Sequence, residues 1–240
     1  MVGVRTAVVT GAASGIGRAL ATLLAERGYQ LHAVDIDGPA LDTVAAGLGF
    51  ASARTADVAD PSALEELADE IGAVDLLCIN AGVISSAMGA PWEAPTEEWD
   101  RVFGVNLGGI VNGLRAFVPL MLHRDRPCHI LITASLAGAA TWPGGGPYAA
   151  SKHAALAVAE QAALRLADSN VTVTVLCPAL VRTGMSDVGD DPLDVATEAL
   201  AALDDGRFAV IPEEWHAAIA DRAETLVSGR QPRLPEPAND

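Results

Sequence analysis

The feature that most constrains this chain is a regular alternation, from end to end, of short apolar β-branched runs with longer segments of helical character. The pattern predicts strands over residues 6–10, 30–35, 50–55, 74–80, 128–134, 171–177 and 208–211. It predicts helices between them over 15–27, 38–47, 61–71, 96–122, 148–167, 193–203 and 213–227. Runs such as LLCIN and HILIT are apolar at consecutive positions rather than alternate ones. Strands of that kind must be covered on both faces, which a parallel sheet between two helix layers achieves. The predicted fold class is therefore α/β, a doubly wound sheet of about seven parallel strands with helices on both faces.

Composition narrows what such a fold can serve. With 240 residues, half of them hydrophobic and 19% charged, the chain can build one large core, and no linker divides it. A single domain is expected over 1–228, followed by a tail, 229–240, in which Pro232, Pro235 and Pro237 replace apolar periodicity and loose packing is expected. Thirty-one acidic residues against 15 basic ones leave a formal charge of -16. Nucleic acid and anionic membrane surfaces are thereby excluded as partners, because both demand clustered Lys and Arg. No uninterrupted apolar run of about 18 residues is present, and the N-terminal residues reach a Gly-rich loop before an export signal could develop, so a cytoplasmic protein is expected. Cys78, Cys128 and Cys177 lie about 50 residues apart inside apolar runs, which predicts buried, reduced thiols and no metal site.

One cation stands apart. Fourteen of the 15 basic residues are Arg, and the remaining one is Lys152. It follows Tyr148, one of only two tyrosines, by four residues within an Ala-rich helical segment, so the two side chains share a helix face. A compact, rotatable ammonium does what a guanidinium cannot, which gives the exception a chemical reading. As a lone pattern, Tyr-x-x-x-Lys is equally compatible with a helix-surface pair.

The first strand leads into TGAASGIGRAL, placing Gly11, Gly15 and Gly17 at a strand-to-helix turn with Ser14 and Ile16 between them. Glycines there let the backbone approach a pyrophosphate that the following helix N-terminus stabilises. The second strand ends at Asp35, 18 residues beyond Gly17, near the separation expected of a carboxylate that binds an adenosine ribose. A carboxylate accepts from both ribose hydroxyls and repels a 2′-phosphate. No Arg or Lys at Ala12, Ala13 or Ile36 offsets that repulsion, so NAD is expected rather than NADP.

These motifs, in this order, resemble the short-chain dehydrogenase/reductase family in its compact single-domain form. The resemblance covers roughly residues 5–227 and adds Asp57-Val58, Asn80-Ala81-Gly82, Asn106, Ser135 and PALVRT to the loop and the Tyr-Lys pair. It implies a Rossmann-like sheet and an oxidoreductase. Tyr148 is then the general acid and base, made more acidic by Lys152; Ser135 steadies the substrate oxygen; Lys152 also holds the nicotinamide ribose; and Asn106 maintains a water relay through a local helix distortion. The resemblance further implies that Asp57 and Val58 meet the adenine, that Asn80, Ala81 and Gly82 shape the cofactor edge, and that Pro178, Val181 and Thr183 meet the nicotinamide end. It also implies a homotetramer. The chain departs from the family pattern at Ile79 and Ala179, neither of which removes a reacting group.

Ligands of open α/β sheets bind beyond the carboxyl ends of the strands, so the following segments should enclose the substrate. They supply Met88, Trp92, Leu136, Trp142, Leu180 and Met185 with few charges. Of these, Trp142 and Leu180, with Ser135, Tyr148 and Ala179, are the expected substrate contacts. An uncharged, moderately apolar secondary alcohol or ketone is the expected substrate. The short acidic stretch 184–192 predicts a small lid. The competing reading is an NAD-binding sensor or scaffold of the same fold without turnover, which has no use for a proton-transfer triad.

Overall fold

The computed structural model describes residues 4–238; the first three residues of the N-terminal run and the last two of the Pro-rich tail lie outside the described residues. Strands β1 (Thr6–Thr10), β2 (Gln30–Asp35), β3 (Ser52–Thr55), β4 (Leu76–Ile79), β5 (Cys128–Thr133), β6 (Val171–Leu176) and β7 (Ala209–Val210) form one sheet in the order β3-β2-β1-β4-β5-β6-β7. Every neighbouring pair is parallel. Helices α1 (Gly15–Glu26), α2 (Gly38–Leu48), α3 (Pro61–Ile71), α4 (Thr96–Phe103), α5 (Gly109–Met121), α6 (Leu136–Ala139), α7 (Gly146–Leu166), α8 (Pro192–Asp204) and α9 (His216–Val227) complete the fold.

The strand pleat sorts the apolar runs into two cores. Val8, Leu77, Ile79, Ile130, Ile132, Val173 and Val175 point to the side where α3, α5 and α7 deliver Leu64, Ile110, Phe117 and Ala155. Ala7, Val9, Leu76, Cys78, Leu131 and Leu176 point to the other, against Leu20 and Leu24 of α1, Leu41 of α2 and Leu200 of α8. All three cysteines are free and buried, as expected.

Three elements differ from the sequence pattern. The expected helix 96–122 is interrupted by a π-helical turn, Gly104–Gly108, which places Asn106. The four-residue helix α6 is too short to show a period, and the segment expected as helix 213–227 opens as a 3₁₀ turn, Glu213–Trp215, before α9. Thr96–Met121 is also the one described helix with the length and composition of a membrane span. Its residues Val102, Ile110, Phe117 and Met121 are buried in this fold.

Strand order reverses between β1 and β4. The turns that leave the carboxyl ends of these two strands diverge there and open a crevice.

Candidate active site

The crevice is one cavity of about 860 Å³ that runs from Asp35, Ile36 and Asp57 at one end to Ser135, Tyr148 and Lys152 at the other. Along its floor Gly11 adopts φ +68°, and a Cβ there would stand 2.8 Å from Ala81 Cα. A Cβ at Gly17 would overlap the Gly11 carbonyl oxygen, so only glycine lets α1 start this close to β1. Ser14 caps α1 without a side-chain hydrogen bond, and no acid occupies the first turn. By contrast, α2, α3 and α8 have their first amides taken by Asp37, Asp60 and Asp191. The α1 terminus thus presents amide donors and positive dipole to a glycine-floored cradle, which fits a pyrophosphate.

Asp35 at the end of β2 is both ligand candidate and scaffold. Its Oδ2 accepts the Ala13 amide at 2.9 Å and its Oδ1 accepts the Asp37 amide at 3.0 Å. A carboxylate has about four acceptor positions, so two backbone bonds leave capacity for ribose hydroxyls. Lys152 is the sole Lys or Arg on the described wall, so no cation stands beside Asp35 to receive a 2′-phosphate.

At the reacting end, Ser135 follows β5 and caps α6, where its Oγ accepts the Ala137 amide at 3.1 Å. Ser135 also lies close enough to the Tyr148 phenol to favour its ionised form. Lys152 is buried, donates to the Thr133 carbonyl at 3.1 Å, and lies 5.8 Å from the Tyr148 ring centroid. Burial pushes the Lys152 ammonium down to about 8, partly opposed by Cys177. Burial also raises the Tyr148 phenol, and the Ser135 hydrogen bond only partly counters it. The expectation that Lys152 makes the phenol more acidic is thus not met in the protein alone, where desolvation dominates.

Asn106 lies behind the wall. Its Oδ1 accepts the Val83 amide at 2.8 Å, while its Nδ2 donates to the Val83 carbonyl at 2.9 Å and to Ser151 Oγ at 3.0 Å. Ser151 in turn donates to the Tyr148 carbonyl at 2.7 Å, joining the π turn to the first turn of α7. Asn80 is likewise occupied: its Nδ2 donates to the Thr10 carbonyl at 3.2 Å and its Oδ1 accepts from Thr133 at 3.1 Å. Gly82 leaves room for both Asn106 and Lys152, whose polar atoms would stand 3.2 and 3.3 Å from a Cβ at that position.

The fold brings Gly11, Ser14, Gly15, Ile16, Asp35, Asp57, Val58, Asn80, Ala81, Gly82, Ser135, Trp142, Tyr148, Lys152, Pro178, Ala179, Leu180, Val181 and Thr183 onto one cavity wall. Gly17 and Asn106 stand behind it. Met88 and Trp92, expected among the apolar residues near the substrate, are not on the wall, and Trp92 is 85% exposed. Sequence reasoning missed Trp215, Leu234 and Pro235, which are on it. It also missed Ser151 and buried Glu98, whose Oε1 takes the Ser85 and Ser86 hydroxyls at 3.0 Å and secures the loop after β4. Only Ser151 carried a signal, as a polar residue within the Tyr-Lys turn.

The glycine floor, Asp35 and the Ser135, Tyr148 and Lys152 cluster on one cavity wall fit a dinucleotide-binding oxidoreductase. Comparison with known proteins agrees. The family model described as short chain dehydrogenase matches residues 5–192. The 1-deoxy-11-beta-hydroxypentalenate dehydrogenase of Streptomyces exfoliatus is 45% identical over 189 residues, 75% of this chain and 69% of that protein. Its namesake from Streptomyces avermitilis is 38% identical over 98% of this chain and 89% of its own length. A short-chain dehydrogenase/reductase from Burkholderia phymatum, solved in complex with NAD, superposes with a TM-score of 0.89 at 33% identity, covering 97% of this chain and 98% of that one. The chain belongs to the short-chain dehydrogenase/reductase family and is an oxidoreductase acting on hydroxyl or carbonyl groups.

Proposed function

We propose that this enzyme uses NAD to interconvert a secondary alcohol and a ketone on an uncharged, moderately apolar small molecule, with Tyr148 as acid and base. The observation that carries the reading is the Ser135, Tyr148 and Lys152 cluster at one end of a cavity whose other end is Asp35. NAD supplies the hydride acceptor and, when oxidised, a positive charge beside the phenol.

The remaining work falls to the chain. Ser135, its Oγ occupied by the Ala137 amide, donates to the substrate oxygen and steadies the charge that develops there. Tyr148 Oη takes the hydroxyl proton in oxidation and returns it in reduction. Lys152 holds the nicotinamide ribose and adds its charge to that of the oxidised cofactor against the desolvation that raises the phenol. Asn106 and Ser151 hold the π turn and the first turn of α7 in register, and the water relay runs past them. Gly11, Ser14, Gly15, Ile16 and Gly17 hold the pyrophosphate. Asp35 holds the adenosine ribose, Asp57 and Val58 the adenine, Asn80, Ala81 and Gly82 the central edge, and Pro178, Val181 and Thr183 the nicotinamide end.

The substrate class follows from the wall's charges. Besides the cofactor-side acids it carries Asp190 and Glu214, and Lys152 is its only cation, so a carboxylate substrate finds no partner there. The Streptomyces relatives are named for a hydroxylated carboxylate; this chain shares their chemistry and takes a neutral counterpart. Reduced-nicotinamide absorbance over a panel of neutral and carboxylated secondary alcohols tests the reading. Turnover of neutral alcohols with NAD is expected; turnover confined to carboxylates, or a preference for NADP, contradicts it. Family resemblance, with the Ala-rich helix α7, supports a homotetramer, and three free, buried cysteines fit a cytoplasmic location.

A further inference from the structure

The tail after α9, expected to be loose, lies on the cavity. Leu234 and Pro235 stand on its wall beside Glu214 and Trp215 of the 3₁₀ turn, and Leu180, Met185 and Trp142 complete an apolar rim. The tail is tied down beyond this point, where the Ala238 amide donates to the Glu214 carbonyl at 2.7 Å. Pro232, Pro235 and Pro237 restrict its backbone, lowering the entropy lost on ordering, and lack amides that would need partners. Leu234 is 64% exposed and Leu180 61%, apolar area that a ligand's hydrocarbon body would cover.

We propose that residues 231–238 form the outer wall of the substrate site and that Leu234 and Pro235 determine specificity for the apolar body of the substrate. This rests on the alcohol–ketone reading above. Arg222 of α9 donates to Thr141 Oγ1 at 3.3 Å, next to Trp142 on the wall, which sets this C-terminal part by the apolar rim; the strap discriminates among substrates and not among dinucleotides. Small alcohols reach Ser135 and Tyr148 without touching it, whereas a bicyclic carbon skeleton extends to the strap.

Two variants test this: a chain ending at Arg230, which keeps the Arg230 amide bond to Thr225 that closes α9, and Leu234→Asp in the full-length chain. The probes are 2-decalone and acetone, read by reduced-nicotinamide absorbance, and 2-decalone binding by calorimetry, which needs no turnover. Both variants are expected to lose about tenfold in kcat/KM and in affinity for 2-decalone, the worth of covering part of a Leu side chain. NADH affinity and acetone turnover should stay within about twofold. Equal losses on both ketones, unchanged 2-decalone affinity, or weakened NADH binding would overturn the proposal. If the intact chain reduces neither ketone, the alcohol–ketone reading fails; the calorimetric comparison then still decides the strap, since no binding of 2-decalone to the intact chain also overturns it.

Discussion

At the scale of single residues, the site sets catalytic need against stability. Lys152 is the chain's only lysine, and the fold buries it with the Thr133 carbonyl as its hydrogen-bond acceptor. Its pKa, lowered to about 8, means that the folded state binds this proton less tightly than the unfolded state. The sign follows: the charge costs stability in full below pH 8, and the cost fades as pH rises from 8 toward the unfolded value near 10.5. Lys152→Met should therefore raise folding stability by about 1–2 kcal/mol at pH 7. The gain should shrink at pH 10 while activity is lost, as denaturant titrations at the two pH values would show. A variant less stable than the parent at pH 7 contradicts this. The Tyr148–Lys152 pair was legible because helix spacing and lysine scarcity are properties of the sequence. The direction of the Tyr148 shift was not, because it depends on how completely β5, α6 and α7 desolvate the phenol.

At the scale of elements, strand ends and turns do the positioning. The glycine loop and Asp35 were readable from spacing, since a strand, a tight turn and a helix N-terminus each leave a local mark. That Asp35 also ties down the glycine loop was not readable, because the Ala13 bond exists only once β2 lies beside β1. Asp35→Ser should raise the NADP-to-NAD ratio of kcat/KM by at least about tenfold and cost about 1 kcal/mol of stability. Kinetics with each dinucleotide and a thermal melt measure the two effects, and an unchanged cofactor ratio would contradict the ribose assignment. The π turn at Asn106 was anticipated only through family resemblance. Helix α6 and the strap were missed because four residues show no period and a Pro-rich tail carries no apolar pattern.

At the scale of the molecule, the parallel sheet places all the chemistry at its carboxyl edge and leaves the opposite edge to structure. There, buried Asp75 accepts the Thr6 amide at 2.7 Å and Arg124 at 2.6 Å, and also pairs with Arg126. Burial alone would raise the Asp75 carboxyl, but these bonds hold it below its usual value. Its stabilisation is present above the unfolded pKa near 4 and is lost as pH falls through the lower folded value. Asp75→Asn should cost about 2 kcal/mol at pH 7 with unchanged KM values, and the difference should narrow below pH 4. A pH-independent difference would contradict the assignment. The parallel sheet covered on both faces was legible from consecutive apolar runs such as LLCIN, whereas its strand order was not, and Asp75 was indistinguishable from any strand-end acid until Arg124 and Arg126 folded over it. The association state separates this scale from the others, and sedimentation should give a tetramer, with a monomer contradicting that expectation. The central claim is proton transfer by Tyr148, and single-turnover oxidation of bound NADH by a neutral ketone tests it most directly. Tyr148→Phe should slow the step by about 10²–10⁴-fold with NADH affinity unchanged, whereas a rate equal to that of the parent enzyme would contradict the account.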